Sequence, residues 1–409
     1  MIGAEIDEAW AAIYSQDYAT AKTYLEHADR LLREANLDQS PVRGEWWLAK
    51  ARALYGTPDA RLTRPQALQR AIALFAREKP LESHYAAAIA NLASEYVLLG
   101  DYTQAKALDL QAIAAEAKLH DSDDMDTAVI YANLGEPLEM FGEIAAAERA
   151  YDTSAELVRT TTGEYYGTYW RALSRHARLL HMRGDLARSH AMFQKMLSSI
   201  PPTWTQTTDD SIARICYAES LIAESHAAQA IPVLEQAQRD LTKRPLHDYD
   251  LRRLRMVLGE AYEQAGRLPE ARAAYYESLR DHLANEARDM PYTLAIRERW
   301  ERFNLNQDAV DASLRTALQN LQQIIADAMP HGAFTPAGAF AHADLARIAL
   351  LRGDAATASA EMTAAQSALD AVRAVHDVRD QDYLTQIRNL IPAAPRSASA
   401  SAPQAVPIR

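Results

Sequence analysis

The sequence is poor in residues that interrupt helices or cross-link chains. Of its 409 residues only 14 are glycine and one is cysteine, Cys216. A single cysteine excludes an internal disulfide framework and is typical of a reducing compartment. No apolar run approaches the length of a membrane span without charges, and the first ten residues, MIGAEIDEAW, lack the basic stretch and apolar run of a signal peptide. We therefore expect a cytoplasmic protein that does not insert into membranes.

Basic residues are outnumbered by acidic ones. Lysine and arginine together number 43 against 55 aspartates and glutamates, which gives a net charge of −12 and a pI near 5.5. Because nucleic acids and anionic membranes attract basic surfaces, we expect neither to be the main partner. Only 8% of the residues are aromatic, and the commonest types (Ala, Leu, Glu, Arg and Gln) are strong helix formers. The composition therefore predicts an all-α protein.

The chain repeats itself with a period of 41 or 42 residues. In five consecutive segments a small residue is followed by a turn residue seven positions later and by a second small residue twelve positions later. These triplets are Ala93, Gly100, Ala105; Gly135, Gly142, Ala147; Ala177, Gly184, Ser189; Ala218, Ser225, Ala230; and Gly259, Gly266, Ala271. The small residues let two helices cross closely, and a glycine between them can end the first helix. Such a helix pair cannot bury its apolar face alone, so the units must stack.

The repeat extends outward to nine units. Ala9 with Ala21 lies two periods before the first triplet, and Ala346 lies about two periods after the last. Two intervening units, at about 44–78 and 292–328, are degenerate. We predict a single superhelical domain over residues 1–391, with a capping helix at about 379–391. Residues 392–409 are rich in Pro, Ala and Ser without apolar periodicity, so we expect them to be disordered.

Two segments, LLGDYTQAKAL (98–108) and GEAYEQAGRLPEARAAYYESL (259–279), resemble the tetratricopeptide repeat (TPR) family in their spacing of small, aromatic and turn residues. The usual period of that family is about 34 residues. The longer period found here is similar to that of the kinesin-light-chain-like subgroup. The resemblance implies a right-handed α-solenoid of about nine stacked helix pairs, whose first helices line a concave groove that binds peptides or protein segments.

The groove positions follow from carrying this pattern unit by unit. They are Asn91, Asn133, Glu136, Arg171, Arg175, Arg178, Glu219 and Glu260. Asn91 and Asn133 occupy equivalent positions, and an asparagine amide can both donate to and accept from a peptide backbone. The resemblance implies that an asparagine near this position contacts a bound peptide, as it does in the family. The alternative is a buried asparagine that bridges adjacent helices.

Three arginines of the predicted groove share one helix face. Arg171, Arg175 and Arg178 are separated by four and three residues. Their guanidinium groups could clamp carboxylates of a bound segment, which would then carry acidic residues. The alternative is a solvated face on which the arginines pair with Glu136 and Glu219 of neighbouring units.

We found no catalytic or metal-binding motif in the sequence, and we expect neither an enzyme nor a cofactor. His176 and His181 are five residues apart, which is poor spacing for sharing a metal on one helix. Cys216 has no base beside it in sequence, so a thiol that is buried or lies at the edge of the groove is favoured over a nucleophile. The sequence predicts a peptide-binding scaffold or adaptor. The alternative is a sensory module that binds a small molecule or signalling peptide and regulates a partner kinase or transcription regulator.

A proline interrupts one predicted first helix. Pro137 follows Gly135 in NLGEPLEMFGE, and its ring removes the hydrogen bond to the carbonyl of Asn133, at a cost of about 3 kcal/mol. Either this is a tolerated kink or the freed carbonyl binds a ligand. We expect a bent helix and a higher melting temperature for Pro137→Leu.

Overall fold

The computed structural model describes most of the chain. The described residues are 2–15, 17–54, 60–78, 83–118, 124–161, 167–199, 208–242, 249–307, 311–331, 335–373 and 378–392. The predicted disordered tail lies outside these residues, apart from its first residue, Pro392. None of the described helices combines the length and the apolar composition needed to cross a membrane.

Nineteen α-helices lie in the described part of the chain. They are α1 (Ile2–Tyr14), α2 (Tyr18–Glu34), α3 (Pro41–Ala53), α4 (Ala60–Glu78), α5 (Ser83–Leu98), α6 (Tyr102–Glu116), α7 (Asp124–Met140), α8 (Ile144–Thr161), α9 (Gly167–Met182), α10 (Leu186–Ser199), α11 (Thr208–Ala223), α12 (Ala227–Leu241), α13 (Tyr249–Gln264), α14 (Leu268–Asn285), α15 (Pro291–Gln307), α16 (Asp311–Ala328), α17 (Ala337–Leu351), α18 (Ala355–Ala371) and α19 (Val378–Leu390). A short 3-10 helix, Met329–His331, follows α16.

The first eighteen helices form nine consecutive pairs, which we number units 1 to 9. Each pair packs together and against its neighbours, so the predicted α-solenoid is confirmed. The two degenerate units are the pairs α3 with α4 and α15 with α16. They begin at Pro41 and Pro291, three residues and one residue before the positions predicted from the sequence. Helix α19 packs against both helices of unit 9 as the predicted cap.

The small residues of the repeat lie where the two helices of each unit cross. All ten are buried in units 3 to 7, as the sequence predicts. Two of the crossings require glycine. A Cβ atom built on Gly135 would lie 2.1 Å from Cε1 of Tyr151, and one built on Gly259 would lie 2.5 Å from Cδ1 of Tyr275. The aromatic rings therefore occupy the space that an alanine side chain would need.

The turn residues adopt the left-handed conformation that ends a helix. Gly100, Gly142, Gly184, Gly266 and Gly353 have φ between 69° and 81°. Ser225, at the equivalent position of unit 6, has φ of 64° although it carries a side chain. The backbone of the turn is thus set by its position in the repeat.

The superhelix closes on itself. The hydroxyl of Tyr292 in unit 8 donates a hydrogen bond to Oε1 of Glu136 in unit 4, at 2.8 Å. The turn of unit 4 also lies against the chain that leaves unit 9, because a Cβ atom on Gly142 would lie 2.8 Å from the carbonyl oxygen of Arg373. These contacts join units that are far apart in sequence, and the first helices line the space between them.

Candidate functional site

The space lined by the first helices is a cavity of about 1550 Å³, which we call the central cavity. Residues of the first helix of each of units 1 to 8 line it, together with a few side chains from second helices. All eight predicted groove residues are among the lining residues: Asn91, Asn133, Glu136, Arg171, Arg175, Arg178, Glu219 and Glu260. The structure thus brings the predicted set together at one surface.

Two arginines of α9 pair with two glutamates of α7 in the preceding unit. Nη1 of Arg175 lies 3.2 Å from Oε2 of Glu136, and Nη2 of Arg178 lies 2.5 Å from Oε2 of Glu139. Burial is the largest single influence on the pKa of Arg178 and lowers it, but the charges of Glu139, Cys216 and Glu219 together raise that pKa above its ordinary value. Both guanidinium groups therefore stay charged, and each is held in place by a carboxylate of the neighbouring unit.

The same pattern recurs farther along the solenoid. Arg253 of unit 7 binds Glu219 of unit 6 with nitrogen to oxygen distances of 2.8 to 3.1 Å. Arg299 of unit 8 lies 2.9 Å from Glu260 of unit 7. In all four pairs the arginine comes from the first helix that follows the glutamate. We call these pairs, Arg175–Glu136, Arg178–Glu139, Arg253–Glu219 and Arg299–Glu260, the arginine–glutamate ladder.

The ladder agrees with part of the alternative that the sequence left open for the arginine cluster. Arg175 does pair with Glu136, as that alternative supposes. Glu219 instead pairs with Arg253, which belongs to the unit after it. Arg171 lies in the lining of the central cavity beside these pairs. Pairing within the wall does not remove the arginines from the cavity, because Arg175 and Arg178 are lining residues as well.

The central cavity differs in charge from the rest of the chain. Its lining contains ten arginines and nine aspartates or glutamates, and no lysine. The whole chain, by contrast, has a net charge of −12. Arginine offers a planar fork of donors that matches carboxylates, and it stays charged at any physiological pH. The arginines of the wall can therefore donate hydrogen bonds to carboxylates and peptide carbonyls, and its carboxylates can accept them from cationic groups and peptide N–H groups.

The two equivalent asparagines make different contacts. Nδ2 of Asn133 donates to Oγ of Ser94 in the preceding unit, at 3.3 Å, whereas Nδ2 of Asn91 donates to the carbonyl of Ala87 in its own helix, at 2.8 Å. The bridge between adjacent helices that the sequence offered as an alternative is thus present for Asn133. For Asn91 the amide nitrogen bonds only within α5 among the described contacts.

Pro137 lies inside α7 and is buried. The helix continues for three residues beyond it, and the amide of Phe141 donates to the carbonyl of Pro137 at 3.1 Å. Asn133, whose carbonyl the proline deprives of its helical donor, lines the central cavity. The proline therefore removes a helical hydrogen bond at a residue on the wall of the candidate site.

Three residues of the site were not identified from the sequence. Glu139 follows Gly135 by one helical turn and accepts a hydrogen bond from Tyr151 at 2.5 Å, as well as pairing with Arg178. Arg299 lies in a degenerate unit, and Tyr292 reaches the cavity only because the superhelix closes. A glutamate and an arginine 39 residues apart were the available signal for the ladder, since this separation occurs in three of its four pairs.

Cys216 is fully buried beneath the ladder. Burial raises the pKa of its thiol, and Nη2 of Arg253 lies 4.0 Å from its sulfur atom. A raised thiol pKa leaves little thiolate at neutral pH. Of the two positions expected from the sequence, buried or at the edge of the groove, the structure shows the buried one.

Solved structures with a similar fold cover almost the whole chain. A Rap protein complexed with Competence and Sporulation Factor aligns over 95% of this chain and 99% of its own, with 11% identity and a TM-score of 0.59. The apo form of the quorum sensor NprR from B. thuringiensis aligns over 96% and 99%, with 10% identity and a TM-score of 0.54. The human IFIT1 dimer with m7Gppp-AAAA aligns over 93% and 79%, with 11% identity and a TM-score of 0.55.

At these identities the similarity shows the fold alone, and the fold is TPR-like. No family model matches the sequence. No curated protein matches it either.

Proposed function

We propose that this chain is a peptide-binding TPR scaffold or adaptor that holds a protein segment in the central cavity. The observation that carries the proposal is the arginine–glutamate ladder on the wall of a closed superhelix. A cavity of about 1550 Å³ exceeds the 300–1,000 Å³ typical of small-molecule sites. It is better suited to an extended segment of several residues.

Recognition would require arginines of the cavity wall to give up contacts with wall carboxylates and to bind carboxylates of the segment instead. A carboxylate of the bound segment can take up hydrogen bonds from Arg171, Arg175 or Arg178, and bidentate arginine pairs add both energy and direction. The nine carboxylates of the lining can hold cationic groups of the same segment. Ten arginines balanced by nine carboxylates do not create the strongly positive surface that a nucleic acid requires, so the charges favour a peptide.

Paired carboxylates also favour binding over catalysis. Glu136 and Glu139 each form an ion pair with an arginine of the next unit, so these carboxylates are engaged in contacts within the wall. We therefore infer a role without covalent chemistry.

A sensory role is the second candidate, and the closing contact between Tyr292 and Glu136 favours it. A segment that binds Glu136 in the central cavity would compete with Tyr292 for this carboxylate, so binding and shape would be coupled. The structural similarity to a quorum sensor and to a Rap protein complexed with a factor supports the same idea. A regulated partner, such as a kinase or transcription regulator, would then bind one shape of the superhelix more tightly than the other.

Peptide selection tests the first candidate. Synthetic eight-residue peptides of random sequence would be passed over the immobilised protein, and bound peptides identified by mass spectrometry and measured by calorimetry. We expect the selected peptides to be rich in Asp and Glu. Their affinity should fall at least about tenfold in the triple variant Arg171→Ala, Arg175→Ala, Arg178→Ala, since hydrogen bonds to charged groups contribute about 1.5–3 kcal/mol each.

The matched control is Arg188→Ala, which removes an exposed arginine of α10 outside the central cavity. It should leave the affinity unchanged. Circular dichroism of the triple variant must show the wild-type helix content, because Glu139 loses a buried partner. If the triple variant selects the same peptides with the same affinity, the cavity is not the binding site.

Small-angle X-ray scattering tests the second candidate. A selected peptide should change the radius of gyration of a sensor measurably, and Tyr292→Phe should shift the ligand-free protein toward a more open form. A scaffold without coupling should give the same scattering curve for the wild type and for Tyr292→Phe, each measured with and without peptide.

A further inference from the structure

Three histidines surround one carboxylate at the junction of units 5 and 6. His181 lies in the last turn of α9, His190 lies in α10, and Glu224 and His226 lie in the turn between α11 and α12. Glu224 is the centre of the group, and its side chain is 16% exposed. We call these four residues the histidine cluster.

The distances within the cluster are close to those of a metal site. Nδ1 of His181 lies 3.4 Å from Oε1 of Glu224, and Nε2 of His190 lies 2.6 Å from the same oxygen. One donor atom from each of these three residues lies within 4.8 Å of the others. Metal to ligand bonds of about 2.0–2.1 Å in a tetrahedral zinc site place donor atoms roughly 3.3 Å apart. Small side-chain rotations would therefore bring the three donors onto one ion.

A fourth donor is within reach. Nδ1 of His226 lies 3.8 Å from the second carboxylate oxygen of Glu224. The side chain of His226 is about half exposed, so it is able to rotate toward the other donors. Imidazole and carboxylate together are a donor set that suits zinc and similar divalent metals.

Other histidine–carboxylate pairs in the described part of the chain do not form such a group. Nδ1 of His342 lies 2.7 Å from Oε2 of Glu361, and Nδ1 of His27 lies 2.9 Å from Oε1 of Glu5. Each of these carboxylates has one histidine beside it. Among the described residues, the cluster around Glu224 is the group of three or more whose donor atoms converge.

We propose that His181, His190 and Glu224 bind a divalent transition metal of the zinc type, with His226 as the fourth ligand. The ligands come from α9 and α10 of unit 5 and from the turn of unit 6. A bound ion would therefore fix these two units relative to each other. His181 also lines the central cavity, so the ion would stiffen part of its wall.

The sequence concealed this site because its ligands come from two helices and a turn. His176 and His181 share a helix at poor spacing, and only the fold shows that the partner of His181 is Glu224, 43 residues later. The actual partner of His176 is Asp152 of α8, with Nδ1 and Oδ1 2.9 Å apart. Spacing along one helix was the wrong criterion.

Zinc titration of the chelator-treated protein tests the proposal. Calorimetry should show one Zn²⁺ ion bound per chain, and saturating zinc should raise the melting temperature because only the folded state holds the site. His190→Gln and Glu224→Gln should each weaken binding at least about tenfold. The visible absorption of Co²⁺ added in place of zinc should report a tetrahedral site in the wild type and should be lost in both variants.

His342→Gln is the matched control, because it removes a histidine of a simple histidine–carboxylate pair. It should bind zinc as the wild type does. His190 is partly exposed, so its variant should fold, and its melting temperature in chelator checks this. The proposal is wrong if zinc leaves the melting temperature of the wild type unchanged, or if His190→Gln and Glu224→Gln bind zinc as tightly as the wild type.

Discussion

Units 3 and 4 place different residues at the same positions of one repeat. In unit 4, Gly135 leaves room for the ring of Tyr151, and the tyrosine hydroxyl donates to Glu139. In unit 3 the crossing residue is Ala93, and the position of Tyr151 is occupied by Asp109. Asp109 is nevertheless fully buried. The position in the repeat, and not the type of residue, decides what is buried.

The other units show that unit 3, and not unit 4, departs from the pattern of the repeat. Unit 7 repeats the arrangement of unit 4, since Tyr275 packs on Gly259 and donates to Glu263 at 2.9 Å. Four further units have a buried apolar residue at this position: Leu25, Phe193, Leu234 and Met362. Neither oxygen of Asp109 has a hydrogen-bond partner, and burial raises its pKa to about 8. Unit 3 thus keeps a neutral carboxylic acid where its neighbours keep an apolar or aromatic side chain.

The largest effect should come from giving unit 3 an apolar residue at this position. We expect Asp109→Leu to raise the free energy of unfolding at pH 8 by on the order of 3 kcal/mol, since one pKa unit corresponds to about 1.36 kcal/mol. The folded pKa lies above the unfolded value of 3.8, so the wild type loses stability as pH rises from about 4 to about 8. Urea denaturation at several pH values measures this.

Asp109→Asn separates titration from packing. It keeps the shape of the side chain and removes the ionisable group, so its stability relative to the wild type should increase between pH 4 and pH 8. A difference that stays constant over this range would show that Asp109 is not a buried neutral acid.

The reverse change should damage unit 4. Gly135→Ala places a methyl group against the ring of Tyr151, and overpacking of this kind costs about 2 kcal/mol. Gly338→Ala is the control, because the nearest atom to its new Cβ would lie at an ordinary contact distance of 3.5 Å. Thermal denaturation should show a loss for Gly135→Ala alone; equal melting temperatures would mean that the helices of unit 4 can separate freely.

A smaller effect is expected two residues farther along the same first helix. Pro137 of unit 4 corresponds to Glu95 of unit 3, which pairs with Arg64 at 2.7 Å. Because Pro137 is buried, alanine is a safer replacement than leucine. We expect Pro137→Ala to raise the free energy of unfolding by about 1 kcal/mol, less than the full cost of a helix proline because some packing is lost. Unchanged stability would show that α7 is not strained there.

The smallest effect distinguishes the two asparagines. Asn133→Ala removes the hydrogen bond to Ser94 between units and should cost about 0.5–1 kcal/mol, whereas Asn91→Ala removes a bond within α5 and should cost less. Affinity for a selected peptide, measured beside stability, separates the two roles. Weaker binding by Asn91→Ala at unchanged stability would assign that amide to the ligand, and equal losses of stability would remove the contrast between the units.

The repeat explains what could be predicted from sequence. Small residues are required wherever two helices cross, so positions such as Ala93 and Ala105 reveal the period and the helix pairs, whereas the face that lines the cavity was inferred from the resemblance to the TPR family. Contacts between distant units are a different matter. The bond from Tyr292 to Glu136 depends on the twist accumulated over four units, and no local pattern records that twist. The burial of Asp109 could not be predicted either, because an aspartate is normally exposed and this position of the repeat is buried.

Cross-linking of a bound peptide tests the central claim most directly. A selected peptide carrying a benzophenone group would be irradiated in complex with the protein, and the modified residues identified by mass spectrometry. Benzophenone reacts readily with methionine, and three methionines line the central cavity: Met140, Met182 and Met256. Met329 is 77% exposed and does not line it. We predict modification of the three cavity methionines, competed by unlabelled peptide; modification of Met329 with none inside the cavity would contradict the account.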